Sequence, residues 1–215
     1  MAEKIVIFGG TFDPVHIGHI EVAQAAAENI GAKKVVLVPA RRSPHKQQRP
    51  VASDKDRIAM LKLAVMDKNL FQISPIELNR AEPSYTIDTI RHFKQQFGEG
   101  CELFWLIGAD MLESLPKWHK IDELMSECNI CVMNRGGFEK PDFNRLTSSL
   151  NIENIKKLRK NTIETPKINI SSTEIRQRLM TGGDVSGLTC PAVLNYIQKH
   201  NLYSFDHQLS KNEEF

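Results

Sequence analysis

Short apolar runs alternate with helical stretches along the whole of this 215-residue chain, and no other feature restricts its fold as strongly. Lys4-Ile-Val-Ile-Phe8, Lys34-Val-Val-Leu-Val38 and Glu102-Leu-Phe-Trp-Leu-Ile107 are apolar at successive positions, not at every second one. Such strands are buried on both faces, which needs crossover helices on both sides of a parallel sheet. Further strands are expected at 71–74, 129–133 and 168–170. Helical patterns fill the gaps. Residues 18–29 place Ile20, Ala23, Ala27 and Ile30 on one face before a stop at Gly31. Others cover 53–66 (capped by Ser53 or Asp54), 86–97, 173–180 and 192–199, with Pro191 in the last helix's first turn. The pattern predicts an α/β fold: a Rossmann-like doubly wound parallel sheet, as a single domain over residues 1–205. Residues 206–215 are expected to be a flexible C-terminal tail. The polar stretch 136–165 is expected to form helical excursions around the sheet edge.

Composition narrows the partners. Apolar residues make up 41% and charged residues 25%, as in ordinary globular proteins, and the net charge is only +2. Between Lys33 and Lys62, however, nine Lys or Arg face two Asp, a local excess of seven positive charges. A local cationic patch on a near-neutral chain suits a small polyanion better than a nucleic acid or a membrane surface. The first apolar run has four residues, 5–8, too few for a signal-peptide core or a membrane span. Cys128-x-x-Cys131 lies in a strand-like segment, where residues three apart point to opposite faces, and no second pair completes a zinc site. Core cysteines and a cytoplasmic protein are expected.

In a doubly wound sheet, ligands sit beyond the carboxyl ends of the strands. The first such loop reads Gly9-Gly10-Thr11-Phe12-Asp13-Pro14-Val15-His16-Ile17-Gly18-His19. The two glycines permit close backbone approach, and the following helix offers free N–H groups and its positive dipole end to a phosphate. The loop lacks the lysine of a Walker motif and the spacing of a dinucleotide fingerprint. Two histidines three apart stand in their place, able to share a helical face and aim donors or positive charge at one phosphate chain. Near the other end, Ser171-Ser172-Thr173-Glu174-Ile175-Arg176 opens a helix with hydroxyl caps and a guanidinium on its first turn. Either segment alone would fit an ordinary capped helix.

Together they resemble the two signatures of the nucleotidyltransferase superfamily named for its His-x-Gly-His sequence. Three middle segments, Arg42-Ser43-Pro44-His45-Lys46, Pro83-Ser84-Tyr85-Thr86-Ile87-Asp88-Thr89 and Trp105 through His119, closely resemble the bacterial nicotinate mononucleotide adenylyltransferases in order and spacing. Matching motifs run from Phe8 to about Tyr203. Val15, Ser43 and Gly136-Gly137 depart from the usual pattern without removing a reactive group.

The resemblance implies an adenylyltransferase of NAD biosynthesis that joins nicotinate mononucleotide to the AMP half of ATP and releases pyrophosphate. It implies catalytic roles for His16, His19, Lys46 and Arg176. ATP would be bound by Gly9, Gly10, Thr11, Phe12, Gly108, Ser172 and Thr173, with Arg135 near the adenine or the phosphates. The mononucleotide would be bound by Lys46, by the N–H groups of Tyr85 and Thr86 at its carboxylate, by Asp110 at its ribose, and by an exposed Trp118 stacked on the pyridine ring. Trp105, inside a buried strand, is expected to be structural. Mg²⁺ would arrive bound to ATP, with no dedicated metal cage in the protein. ATP and nicotinate mononucleotide are the expected partners, with room for a homo-oligomer. The rivals are a sister enzyme using another acceptor (nicotinamide mononucleotide nearest), a non-catalytic nucleotide-binding regulator, and a dehydrogenase.

Overall fold

Runs of Val, Ile and Leu that cannot leave either face in water end up at the centre of a six-stranded sheet. The computed structural model describes residues 2–42, 49–98, 100–135, 141–166 and 168–204. The strands are β1 (Glu3–Gly10), β2 (Lys34–Pro39), β3 (Phe71–Ile73), β4 (Cys101–Gly108), β5 (Asn129–Arg135) and β6 (Thr162–Thr165). The helices are α1 (Ile17–Ile30), α2 (Asp54–Ala64), α3 (Thr86–Phe97), α4 (Ile121–Glu127), α5 (Ile152–Lys160), α6 (Ser172–Met180) and α7 (Pro191–Lys199). The strand order is β3-β2-β1-β4-β5-β6, and every pairing is parallel. The chain winds outward from β1 to β3, then crosses back to β4 on the other side of β1. Connections therefore diverge at the carboxyl ends of β1 and β4, where a crevice must open.

The period of two along each strand sorts its residues onto two cores. Ile5, Ile7, Leu103, Trp105 and Ile107 pack with Ile90, Phe93, Leu124 and Leu158 from α3, α4 and α5. Val6, Val35, Leu37, Phe104 and Leu106 pack with Ala23, Met60, Leu61, Val193 and Ile197 from α1, α2 and α7. Each fully buried Ile or Leu stabilises the fold by about 1.5–3 kcal/mol, which makes β4, buried at five successive positions, a main anchor. The two cysteines divide in the same way. Cys128 belongs to the first core and Cys131 to the second, and burial raises both thiol pKa values, that of Cys131 to about 12. Cys128 itself ends α4, one residue before the strand.

Three expectations need correction. Residues 168–170 are not a strand; Ile168 and Ile170 line a cavity instead, and this lining function explains their strand-like alternation. The sixth strand is Thr162-Ile-Glu-Thr165, inside the stretch expected to be helical, where α5 is the helical part. An edge strand has one partner, so this short polar segment needs only its ladder to β5. The cationic run 33–62 is also not one patch. Lys34 lies over the Phe97 ring, 4.8 Å from its centre, at the amino end of β2, and Arg57 is wholly buried. No helix among the described residues is long and apolar enough to cross a membrane.

Candidate active site

A cavity of about 810 Å³ opens at the carboxyl ends of β1 and β4, where the crossovers diverge. β1 delivers Gly9 and Gly10 to it, and both glycines also have packing reasons. A Cβ on Gly9 would come within 2.6 Å of the Trp105 ring, and one on Gly10 within 2.9 Å of the Phe12 ring. Phe12 adopts φ 50°, which turns its ring inward, edge-on to Phe8 at 5.6 Å and to His19 at 5.0 Å. Only the backbone of such a buried residue suits ligand contact. Trp105 is structural, as expected, and its ring edge also lines the cavity.

The two imidazoles stack on each other, ring centres 3.6 Å apart and 26° from parallel. His16 is the residue that caps α1, not a member of its first turn. Its backbone N–H donates to Nδ1 of His19 at 3.2 Å. A nitrogen that accepts carries no proton, so this bond assigns the neutral ring's hydrogen to Nε2, giving His19 a directed donor.

The carbonyls of the same loop are drawn into the protein. Arg57 Nη1 donates to the Thr11 oxygen at 2.7 Å, and Arg176 Nη1 to the Asp13 oxygen at 2.7 Å. Ser172 Oγ donates to the Pro14 oxygen at 2.9 Å, and Thr189 Oγ1 to the Val15 oxygen at 3.0 Å. The Asp13 carboxylate, 3% exposed, accepts from the Val51 N–H (2.7 Å), the Ala52 N–H (3.0 Å) and the Tyr203 hydroxyl (2.7 Å). A loop whose oxygens are held elsewhere has its negative dipole ends directed away from an anion. These bonds also bring the two signatures together, across 158 and 163 residues of sequence. His16, His19, Ser172, Thr173 and Arg176 all line the one cavity.

The opposite wall is built by the start of α3. Tyr85 caps it through its backbone, without a side-chain capping bond, and Thr86 and Ser84 line the cavity. Tyr85 does not; its ring stacks on His119 at 4.1 Å. Trp118 lines the cavity but is not the freely exposed indole expected, being half-buried against the first core. Polar neighbours in sequence concealed an apolar seat supplied by distant residues. Gly108 and Asp110 line the cavity as well, and a Cβ on Gly108 would collide with the Asp110 carboxylate. Lys46 and the side chain of Arg135 lie outside the described residues.

Three residues of this region had no role in the sequence reading. Asp13 and Arg57 organise the first loop. Glu77 lines the cavity at 4% exposure, and burial raises its pKa to about 7 against the opposing effects of the Thr89 hydroxyl at 2.7 Å and the Arg80 charge. An acidic residue inside the phosphate-loop motif was the available signal for Asp13; for Arg57 and Glu77 the sequence offers none.

Comparison with known proteins places the chain in one family. The cytidylyltransferase-like family model matches residues 7–178. A protein of Thermoanaerobacter sp., described as a probable nicotinate-nucleotide adenylyltransferase, is 39% identical over 95% of this chain and 96% of its own. One of Dehalococcoides mccartyi with the same description is 37% identical over 93% and 97%. Among solved structures, the Plasmodium falciparum nicotinic acid mononucleotide adenylyltransferase complexed with NaAD superimposes with a TM-score of 0.70 at 22% identity. That match covers 94% of this chain and 97% of the other, and it shows a shared fold.

Proposed function

The chain belongs to the nicotinate-nucleotide adenylyltransferases, within the cytidylyltransferase-like family, and on that premise we propose how its cavity carries out adenylyl transfer. The reaction joins the 5′-phosphate of nicotinate mononucleotide to the α-phosphorus of ATP. One P–O bond forms to the acceptor oxygen, the bond to the β-phosphate oxygen breaks, and pyrophosphate leaves. The attacking group is already ionised, so no general base or covalent nucleophile is required. What remains is to hold two polyanions in line and to stabilise charge on the transition state.

The observation that carries this reading is the convergence of His16, His19 and Arg176 on one cavity through bonds that span most of the chain. His19 donates from Nε2 to the α-phosphate, and His16 lies against it. Thr11, Thr173, Arg176 and the start of α6 hold the β- and γ-phosphates. The Ser172 hydroxyl acts on the first loop, through the Pro14 carbonyl. Gly9, Gly10, Phe12 and Gly108 shape the seat of the adenosine. Thr86, Asp110 and Trp118 receive the mononucleotide, with the Tyr85 N–H beside them. Lys46 is assigned to phosphate charge, and Arg135 to the adenine or the phosphates, on the family resemblance alone. Mg²⁺ enters with ATP, as part of the substrate. The Asp13 carboxylate, the acidic group of the first loop, is engaged by Val51, Ala52 and Tyr203. The four cysteines are free, in keeping with a cytoplasmic setting.

The test is pyrophosphate release from ATP with nicotinate mononucleotide, nicotinamide mononucleotide and phosphopantetheine as separate acceptors. Nicotinate mononucleotide should be turned over fastest. Release with phosphopantetheine alone would overturn the acceptor assignment, and release with none would leave a nucleotide-binding regulator.

A further inference from the structure

Ser84 precedes the cap of α3 and is 5% exposed, yet its Oγ has no hydrogen-bond partner among the described residues. The residue lines the cavity beside Thr86, Glu77 and Trp118. A buried hydroxyl without a partner destabilises a protein, so each such group calls for a reason. Its surroundings supply one. Among the described residues, backbone bonding at the start of α3 begins with the Asp88 N–H, and no side chain caps the helix, so the first turn offers donors and the positive end of a 12-residue dipole. Arg80 adds a guanidinium that reaches the Tyr85 carbonyl at 3.3 Å and the Thr89 hydroxyl at 2.9 Å. A hydroxyl, helix-start N–H groups and a nearby cation together suit a carboxylate better than a neutral amide.

We propose that Ser84 is an acceptor-binding residue, its hydroxyl donating to the pyridine carboxylate of nicotinate mononucleotide and so helping to select the acid over the amide. This rests on the acceptor reading above. Bound acceptor supplies the partner that the free protein lacks, so the hydroxyl contributes to binding and not to folding. Glu77 shares this wall, and burial favours its neutral form up to near neutral pH, which limits repulsion of the incoming carboxylate.

Ser84→Ala separates the two roles. In the variant, KM for nicotinate mononucleotide should rise about tenfold to a hundredfold, as for the loss of a hydrogen bond to a charged group. KM for ATP and turnover with nicotinamide mononucleotide should stay within about twofold, and the melting temperature of the free protein should hold or rise, since no bond is lost there. An unchanged KM for nicotinate mononucleotide would overturn the proposal. Equal losses with acid and amide would overturn the carboxylate assignment, because the contact would then fall on the shared ribose phosphate. A clear drop in melting temperature would overturn it as well, by showing a partner within the protein. Wild-type protein that releases no pyrophosphate with nicotinate mononucleotide would instead sink the functional reading itself.

Discussion

The two walls of the cavity differ in how far the fold satisfies their polar groups. On the phosphate side, four loop carbonyls, those of Thr11, Asp13, Pro14 and Val15, each accept a side-chain donor, and the Asp13 carboxylate accepts two backbone N–H groups and the Tyr203 hydroxyl. On the proposed acceptor side, the Ser84 hydroxyl and the Arg80 Nε are buried without partners among the described residues and Glu77 is a buried carboxylate, whereas on the phosphate side the Arg57 Nε is the atom in that state and its Nη1 still holds the loop. The difference matches what each wall must do. Dipoles that stabilise a transition state act best when they are fixed beforehand, because they then cost no reorganisation during the reaction. A wall that chooses between two similar acceptors gains discrimination by leaving groups for the right one to satisfy. In the proposed reading, the fold holds most of the first loop's polar groups, and the acceptor wall leaves more for the substrate to satisfy.

The sharpest way to break this contrast is at His19. If its Nε2–H acts mainly in the transition state, His19→Ala should lower kcat by about 10²- to 10⁴-fold while KM for either substrate changes little. A large KM effect with kcat intact would move His19 from catalysis to ground-state binding.

Next in size is the buried carboxylate of the acceptor wall. The folded protein raises the Glu77 pKa from 4.5 to about 7, so the folded state binds more protons than the unfolded chain between those values. Stability from this group is therefore fully present below pH 4.5 and lost as pH rises through about 7. The loss amounts to about 3 kcal/mol at most. Glu77→Gln keeps an acceptor for Thr89 without the charge. Its stability relative to wild type should improve steadily from pH 5 to pH 8 in urea melts. A difference that stays flat with pH would show that the carboxylate is not strained by burial.

The smallest effect expected tests the phosphate wall's own scaffold. Tyr203→Phe removes one of the three donors to Asp13 and leaves the apolar packing in place. It should cost about 2 kcal/mol of stability, measured by denaturant unfolding. Because Asp13 passes its position to Arg176, kcat should fall a few-fold with KM for nicotinate mononucleotide unchanged. A selective rise in that KM would mean the two walls are not independent.

Much of this was legible in advance, for local reasons. β1, β2 and β4 announced themselves by apolar side chains at successive positions, and α3 was expected over the residues it occupies, 86–97, because its period is written into neighbouring positions. The histidine and Ser-Ser-Thr segments, which the fold brings to one cavity, were legible because the phosphate binding proposed for them uses contiguous backbone at a helix start. The errors fell where an identity depends on a distant partner. β6 is polar and exists through its ladder to β5, while Ile168 and Ile170 alternate like a strand but face the cavity. Trp118 looked exposed among polar neighbours, yet it is half-buried against the first core.

The amino-acid sequence by itself determined the layers of this protein and singled out the two segments proposed to bind phosphate, since periodicity and helix-start chemistry are properties of residues a few positions apart. Tertiary structure alone decided that Arg57, Arg176, Ser172 and Thr189 would hold the first loop's carbonyls, and that Ser84 would be left without a partner. The physical reason is that a buried polar group must find a donor or acceptor wherever the fold brings one near, and no local pattern records which group that will be.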